Sequence, residues 1–150
     1  MKAEQIRTLV AKSCLSMDDE KFADYLALCA DGFQYRIRSF SPEIGKEMTW
    51  LDLGLDELKG LLEAVPKHVR MQGQMRRHAT LYTLDEDADG RFSAVSSLIV
   101  SHTALNGETH LFATGQFHDR VTFVEGEPRL LARDVMLDTR VLGPGSHMPI

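Results

Sequence analysis

Two cysteines, one tryptophan and a net charge of -5 already remove several classes of chemistry from this 150-residue chain. Cys14 and Cys29 are too few for a disulfide framework or an all-cysteine metal site. Both sit among apolar residues at helical spacing, which predicts buried free thiols in a reducing compartment. No apolar run approaches the ~20 residues of a membrane-spanning helix. The opening MKAEQIRTLV lacks the apolar stretch of a signal peptide, so a cytoplasmic address is expected. With 17 basic against 22 acidic residues there is no basic footprint for nucleic acid or an anionic membrane. A Gly-x-Ser-x-Gly elbow, a Gly-x-Gly-x-x-Gly or phosphate loop and a His-Glu-x-x-His element are all missing, so nucleotide cofactors have no visible seat.

What is there is ordinary and globular: 43% hydrophobic and 26% charged residues, with no repeat, linker or biased tract. The length suits one domain, 1–150. Ile6, Leu9, Val10 and Cys14 make one stripe, which predicts a helix over 2–14. Ser16 has the chemistry of an N-cap, with Asp18 and Asp19 in the first turn of a second helix ending near Cys29. After Asp31-Gly32, the alternation from Phe33 to Phe40 predicts a strand broken by Pro42. Residues 41–51 read as a loop carrying Trp50, and Asp52 as the cap of a third helix running to about Leu62 and closed by Pro66.

From Arg77 the apolar period changes from 3.6 to 2. Arg77–Asp85, Arg91–Leu105, Thr109–Val124 and Arg129–Val141 are predicted strands, joined by Asp87-Ala88-Asp89-Gly90, Asn106-Gly107 and Glu125-Gly126 turns. Helices first and long antiparallel strands after predict an α+β fold with the helices on one sheet face. A two-residue Asn106-Gly107 turn pairs His102 with Leu111, Val100 with Ala113 and Ser96 with Phe117. The core face then carries Ala94, Leu98, Val100, Leu111, Ala113, Phe117, Val121 and Phe123, with Ser96, His102 and Asp119 as its polar members. In the last hairpin a bulge decides whether Leu131, Val135 and Leu137 or Leu130, Ala132 and Met136 face inward.

Six histidines invite a metal site, but spacing removes most pairings. His110 and His118 share a face yet stand roughly 27 Å apart along one strand. His102 and His110 are expected on opposite faces. Acid–base chemistry needs less: a sheet curled against helices makes a conical pocket, where one buried carboxylate can run an isomerisation or dehydration. Asp119 is the candidate, with Tyr35 and His102 as helpers, although His102 lies too far along the hairpin to form a dyad with it. The plainer alternative puts Asp119 near a strand end, paired with the neighbours of Arg120 or with Arg133. Arg36 and Arg38 alternate outward and suit either a solvated face or pairing with a partner subunit.

Two helices, a strand, a helix and four long strands is the order of the NTF2-like cone. Specific strings narrow it: Asp31-Gly32-Phe33-Gln34-Tyr35-Arg36-Ile37, Phe40-Ser41-Pro42-Glu43-Ile44, Met48-Thr49-Trp50-Leu51-Asp52, and Leu130-Leu131-Ala132-Arg133-Asp134-Val135-Met136-Leu137-Asp138-Thr139-Arg140. Over nearly the whole chain these resemble the small (β) subunits of Rieske non-haem-iron ring-hydroxylating oxygenases. The ending from Leu142 to Ile150 is similar to the methanesulfonate monooxygenase branch of that family.

The resemblance implies a role as a structural β subunit without catalytic residues, metal or cofactor of its own. A large α subunit would hold the Rieske [2Fe-2S] cluster and the mononuclear iron, fed by a reductase, with or without a ferredoxin. An α3β3 assembly is implied, and a homotrimer alone is conceivable on the same grounds. The chain's own residues agree, since it has no Cys-x-His with Cys-x-x-His pair for a Rieske cluster. The resemblance points to Trp50, Asp52, Arg133, Asp138 and Arg140 as subunit-interface residues. The substrate, arene or sulfonate, is not legible in this subunit. The competing reading is a stand-alone isomerase or dehydratase working through Asp119.

Overall fold

The computed structural model describes residues 1–65, 72–142 and 149–150. The Pro66 helix stop, His68 and His147 lie outside the described residues. In chain order the elements are α1 (Lys2–Asp18), α2 (Phe22–Ala27), β1 (Cys29–Ser41), β2 (Lys46–Gly54), α3 (Leu55–Ala64), β3 (Gln74–Glu86), β4 (Phe92–Thr103), β5 (Thr109–Val124) and β6 (Glu127–Leu137). The six strands form one sheet in the order β2-β1-β6-β5-β4-β3. Only β1 and β6 run parallel, and the other neighbours are antiparallel. The α+β cone expected from the sequence is the fold. No helix among the described residues is long and apolar enough to cross a membrane.

The first helix is longer than its apolar stripe suggests. Ile6, Leu9, Val10, Ser13, Cys14 and Met17 are all buried, so the stripe continues through Ser16 to Asp18. Ser16 caps nothing; its hydroxyl donates to the Lys12 carbonyl 2.8 Å away inside the same helix. That places Asp18 at a helix C-terminus, where a partner is needed, and Arg77 supplies it. The chain reverses at Glu20, whose φ is 54°, and α2 is only six residues long.

Residues 41–51 are not a loop. Beyond a turn with Gly45 at φ 62°, the chain returns as β2 and pairs along β1 from Ser41↔Lys46 to Gln34↔Gly54. As an edge strand it keeps polar residues on its outer side, so alternation is weak there. Trp50 therefore sits in a strand, half-buried against the core. Asp52 lies in the same strand and does not cap α3. Gly54 takes that place, and its N–H donates to Glu57 Oε1 at 3.2 Å.

In both of the last two hairpins, bulges set the register. The Asn106-Gly107 turn is one residue longer than a two-residue turn: Ala104 N–H donates to Glu108, Gly107 N–H to Ala104, and Gly107 takes φ 88°. His102 thus opposes His110 instead of Leu111, and the two histidines are register partners, not residues of opposite faces. A bulge between Val100 and Ser101 restores the expected pairs Val100↔Ala113 and Ser96↔Phe117. The price is Leu111, assigned to the core but 71% exposed. In the β5–β6 hairpin, Glu125 and Gly126 both have positive φ, which is a two-residue primed turn. A bulge at Arg120/Val121 leaves Leu131 unopposed. As a result Leu130, Val135 and Leu137 all point inward, a mixture of the two sets expected.

The helices cover one face of the sheet, α1 over β3 and β6 and α3 over β1 and β2. Their stripes and the inward strand positions close a core of Tyr25, Phe33, Tyr35, Leu98, Phe117 and Leu130, joined by Ile150. The opposite face carries half-exposed polar residues, with Ile99 and Phe112 among them.

Candidate functional site

The polar members of the core face decide what the cone can do. Asp119 is opposite Arg133 across β5 and β6 because the Leu131 bulge shifts the register by one. Arg133 Nε donates to Asp119 Oδ1 at 2.7 Å and Nη2 to Oδ2 at 2.8 Å, a bidentate pair 1% and 0% exposed at the side chains. Its third edge, Nη1, donates to the Ser13 hydroxyl of α1 at 2.9 Å, and the guanidinium lies 3.8 Å from the centre of the Phe117 ring. Burial is the largest influence on Arg133 and opposes its charge, but Asp119 together with Tyr25 and Cys14 outweighs it and raises the pKa. Each of its three nitrogens has a partner. A carboxylate so held is an acceptor already spent, not a free base.

The helpers do not converge on it. Tyr35 hydroxyl donates to the Ile150 main-chain oxygen and accepts from the Ile150 N–H, both at 2.8 Å. Burial pushes its pKa up, so it stays a phenol. His102 lies near the far end of β4, where Nε2–H donates to the Gln72 carbonyl at 2.7 Å. Burial also pushes the Cys29 thiol up to about 12, and raises Cys14. Neither cysteine is a thiolate at neutral pH. Among the described residues no three His, Cys, Asp or Glu side chains gather as a metal cluster. No set of side chains among the described residues fits a Rieske cluster or a mononuclear iron.

The residues expected at a subunit interface divide in two. Arg133 is buried within this chain and presents nothing outward. Trp50 is half-buried, while Asp52, Asp138 and Arg140 are exposed. Asp52 accepts from Arg36 Nε at 3.3 Å and from Gln34 Nε2. Arg36 and Arg38 both approach Asp134, Arg38 at 3.1 Å, and Arg38 also meets Glu47 at 2.8 Å. The outward arginines of β1 are therefore tied laterally to β2 and β6. Asp138 accepts from Thr114 Oγ1 at 3.4 Å, and Arg140 meets Glu43 at 3.2 Å. A surface groove of about 300 Å³ runs between α1 and the start of β6, lined by Glu4, Thr8, Lys12, Glu127, Pro128 and Arg129, away from Asp119.

Sequence reasoning missed Asp18, Ser13 and the inward role of Arg77. The signal for Arg77 was available: it alternates in step with Met75, Ala79 and Leu81, the apolar side of the strand.

No family model matches the chain. Relatives and a solved structure do. It is 34% identical to the β subunit of methanesulfonate monooxygenase hydroxylase from Methylosulfonomonas methylovora, over 99% of this chain and 87% of that one. It is 35% identical to the β subunit of 2-aminobenzenesulfonate 2,3-dioxygenase from an Alcaligenes species, over 89% of each. A protein from Novosphingobium aromaticivorans described as the β subunit of an aromatic-ring-hydroxylating dioxygenase superposes with a TM-score of 0.75 at 23% identity, over 91% of this chain and 88% of that one. With a third of its residues shared over almost the whole of both chains, and the same cone, the protein belongs to the family of ring-hydroxylating oxygenase β subunits.

Proposed function

We propose that this chain, as one NTF2-like domain, is the non-catalytic structural subunit of a cytoplasmic Rieske non-haem-iron oxygenase that oxidises a small or aromatic sulfonate. A large α subunit carries the [2Fe-2S] cluster and the mononuclear iron, and receives electrons from a reductase, directly or through a ferredoxin. The two subunits associate as α3β3. One observation carries the non-catalytic part: Asp119, the core carboxylate buried among the described residues, is engaged by Arg133 on both oxygens. The two curated relatives support the sulfonate, since both names contain one. Exposed Asp52, Asp138 and Arg140, with Trp50 beside them in β2, are the residues proposed to meet the α subunit. Arg133 acts from inside, by holding β5 and β6 in the register that presents Asp138 and Arg140.

The test is co-purification of the tagged chain from its native host, followed by a visible spectrum and an iron assay. A brown complex with a larger iron–sulfur subunit is the expected result. A colourless chain that turns over a substrate without iron, and loses that turnover on Asp119→Asn, overturns the reading in favour of an isomerase or dehydratase.

A further inference from the structure

The closed end of the cone is not filled by core side chains alone. Pro149 and Ile150 enter it, and Ile150 is 2% exposed within the core. Their backbone is recognised group by group. The Tyr35 hydroxyl of β1 meets both main-chain groups of Ile150, accepting from its N–H and donating to its main-chain oxygen, each at 2.8 Å. The Pro149 carbonyl accepts from Arg77 Nη2 of β3 at 2.9 Å. Arg77 is itself held by Asp18 at the end of α1, Nη1 to Oδ1 at 2.8 Å, with the two side chains 1% and 8% exposed. Three elements thus converge on two residues of a distant segment.

The pocket also has a donor to spare. Among the described residues Arg77 Nε is buried with no partner, so the Nε–Nη2 edge of the guanidinium is half used. Such an edge can donate to two oxygens, and a buried donor left unpaired costs stability. An occupant held by one carbonyl there is matched only in part. Asp18 already pairs with Arg77 Nη1, so Nη2 and Nε are the donors that the occupant meets.

We propose that the closed end of the cone is a peptide-binding pocket, built by Tyr35, Arg77 and Asp18, whose occupant is this chain's own Pro149–Ile150. The pocket selects a branched aliphatic residue by its side chain, its main-chain N–H and oxygen and the carbonyl before it, and it accepts the same chemistry supplied in trans. Occupancy ties α1, β1 and β3 together and keeps the cone shut. This stands apart from any role in an oxygenase, because it concerns the chain's interior and not its partner.

The test compares the 150-residue chain with the same chain ending at residue 148, adding N-acetyl-Pro-Ile, with its carboxyl free, to each. The shortened chain is expected to melt several degrees lower, and the peptide to restore the midpoint saturably. Tyr35→Phe in the shortened chain is expected to weaken that rescue at least tenfold. An unchanged midpoint on shortening, or no rescue by the peptide, overturns the proposal. Should the shortened chain not fold, release of Ile150 from the full chain by a carboxypeptidase gives the answer. Tyr35→Phe or excess peptide is expected to speed release, and release as fast from the unaltered chain as from a free peptide overturns it.

Discussion

Asp119 of β5 and Arg133 of β6 face each other across the sheet and close two hydrogen bonds of 2.7 and 2.8 Å, both side chains shut away from water. Removing one partner of such a pair leaves a buried charge uncompensated, at a cost of about 3–5 kcal/mol. Asp119→Asn and Arg133→Met are each expected to lose that much in urea denaturation. Asp119→Leu combined with Arg133→Met is expected to recover most of it, because the double change removes both charges. A singly substituted Asp119→Asn chain of unchanged stability would break the structural account of this pair.

The buried acids that hold their protons set an alkaline limit. Burial pushes Cys29 from 9.0 to about 12 and raises Cys14, Tyr25 and Tyr35 as well. In the unfolded chain these groups ionise near 9.0 for the thiols and 10.0 for the phenols. The folded state then binds more protons than the unfolded state, so stability falls as pH rises. Thermal midpoints are expected to be level with respect to these groups below about pH 8, and to drop steadily between about pH 9 and pH 12. Native-state thiol titration at pH 8 is expected to be slow for both cysteines, and immediate in denaturant.

Most of the sheet was legible because long alternating strands and glycine turns are local signals. The core positions Ala94, Leu98, Val100, Ala113, Phe117 and Val121 follow from that alternation and are buried. What escaped is what one residue of backbone can change. Ser16 is good at starting helices, yet the apolar stripe past it was worth more. The edge strand β2 follows Pro42 and carries a bulge that leaves Trp50 unopposed, which breaks its alternation, so it reads as a loop. Leu111 was misplaced because a glycine bulge at the turn and a second bulge beside Ser101 cancel only further down the hairpin. The Asp119–Arg133 pair was visible as an alternative, but Leu131 decides it and no propensity announces a bulge. Ile150 docks through main-chain groups, which carry no sequence pattern at all.

Assembly and stability separate at Arg140. Its ion pair with Glu43 is exposed, at 36% and 77% of the two side chains, and such pairs contribute roughly 0–1 kcal/mol. Arg140→Ala is therefore expected to leave the melting of the isolated chain nearly unchanged while weakening its association with the α subunit. Analytical ultracentrifugation of the mixed subunits reads the second effect, and calorimetry of the chain alone reads the first. Normal assembly by Arg140→Ala would remove this residue from the interface.

Gly115 of β5 provides the opposite combination. It is buried opposite Leu137, and a Cβ built on it would run into the Met136 carbonyl. The strands are close there because glycine has no side chain to hold them apart. One residue earlier, Thr114 ties down the end of β6: its N–H donates to Thr139 Oγ1 at 2.9 Å and its carbonyl accepts from Asp138 N–H at 2.9 Å. Gly115→Ala must push β5 from β6 at the point that aims Asp138 and Arg140 outward. Overpacking of this kind costs about 1–3 kcal/mol, so the chain alone is expected to melt several degrees lower. Its amide protons at Thr114, Asp138 and Thr139 are expected to exchange faster, with those of β3 and β4 unaffected. Association with the α subunit is expected to weaken in step with that exchange, since the loop no longer has one position. If Gly115→Ala lowered stability but left both the exchange at Asp138 and the assembly untouched, the segment after β6 would not be the contact that Arg140→Ala is meant to probe.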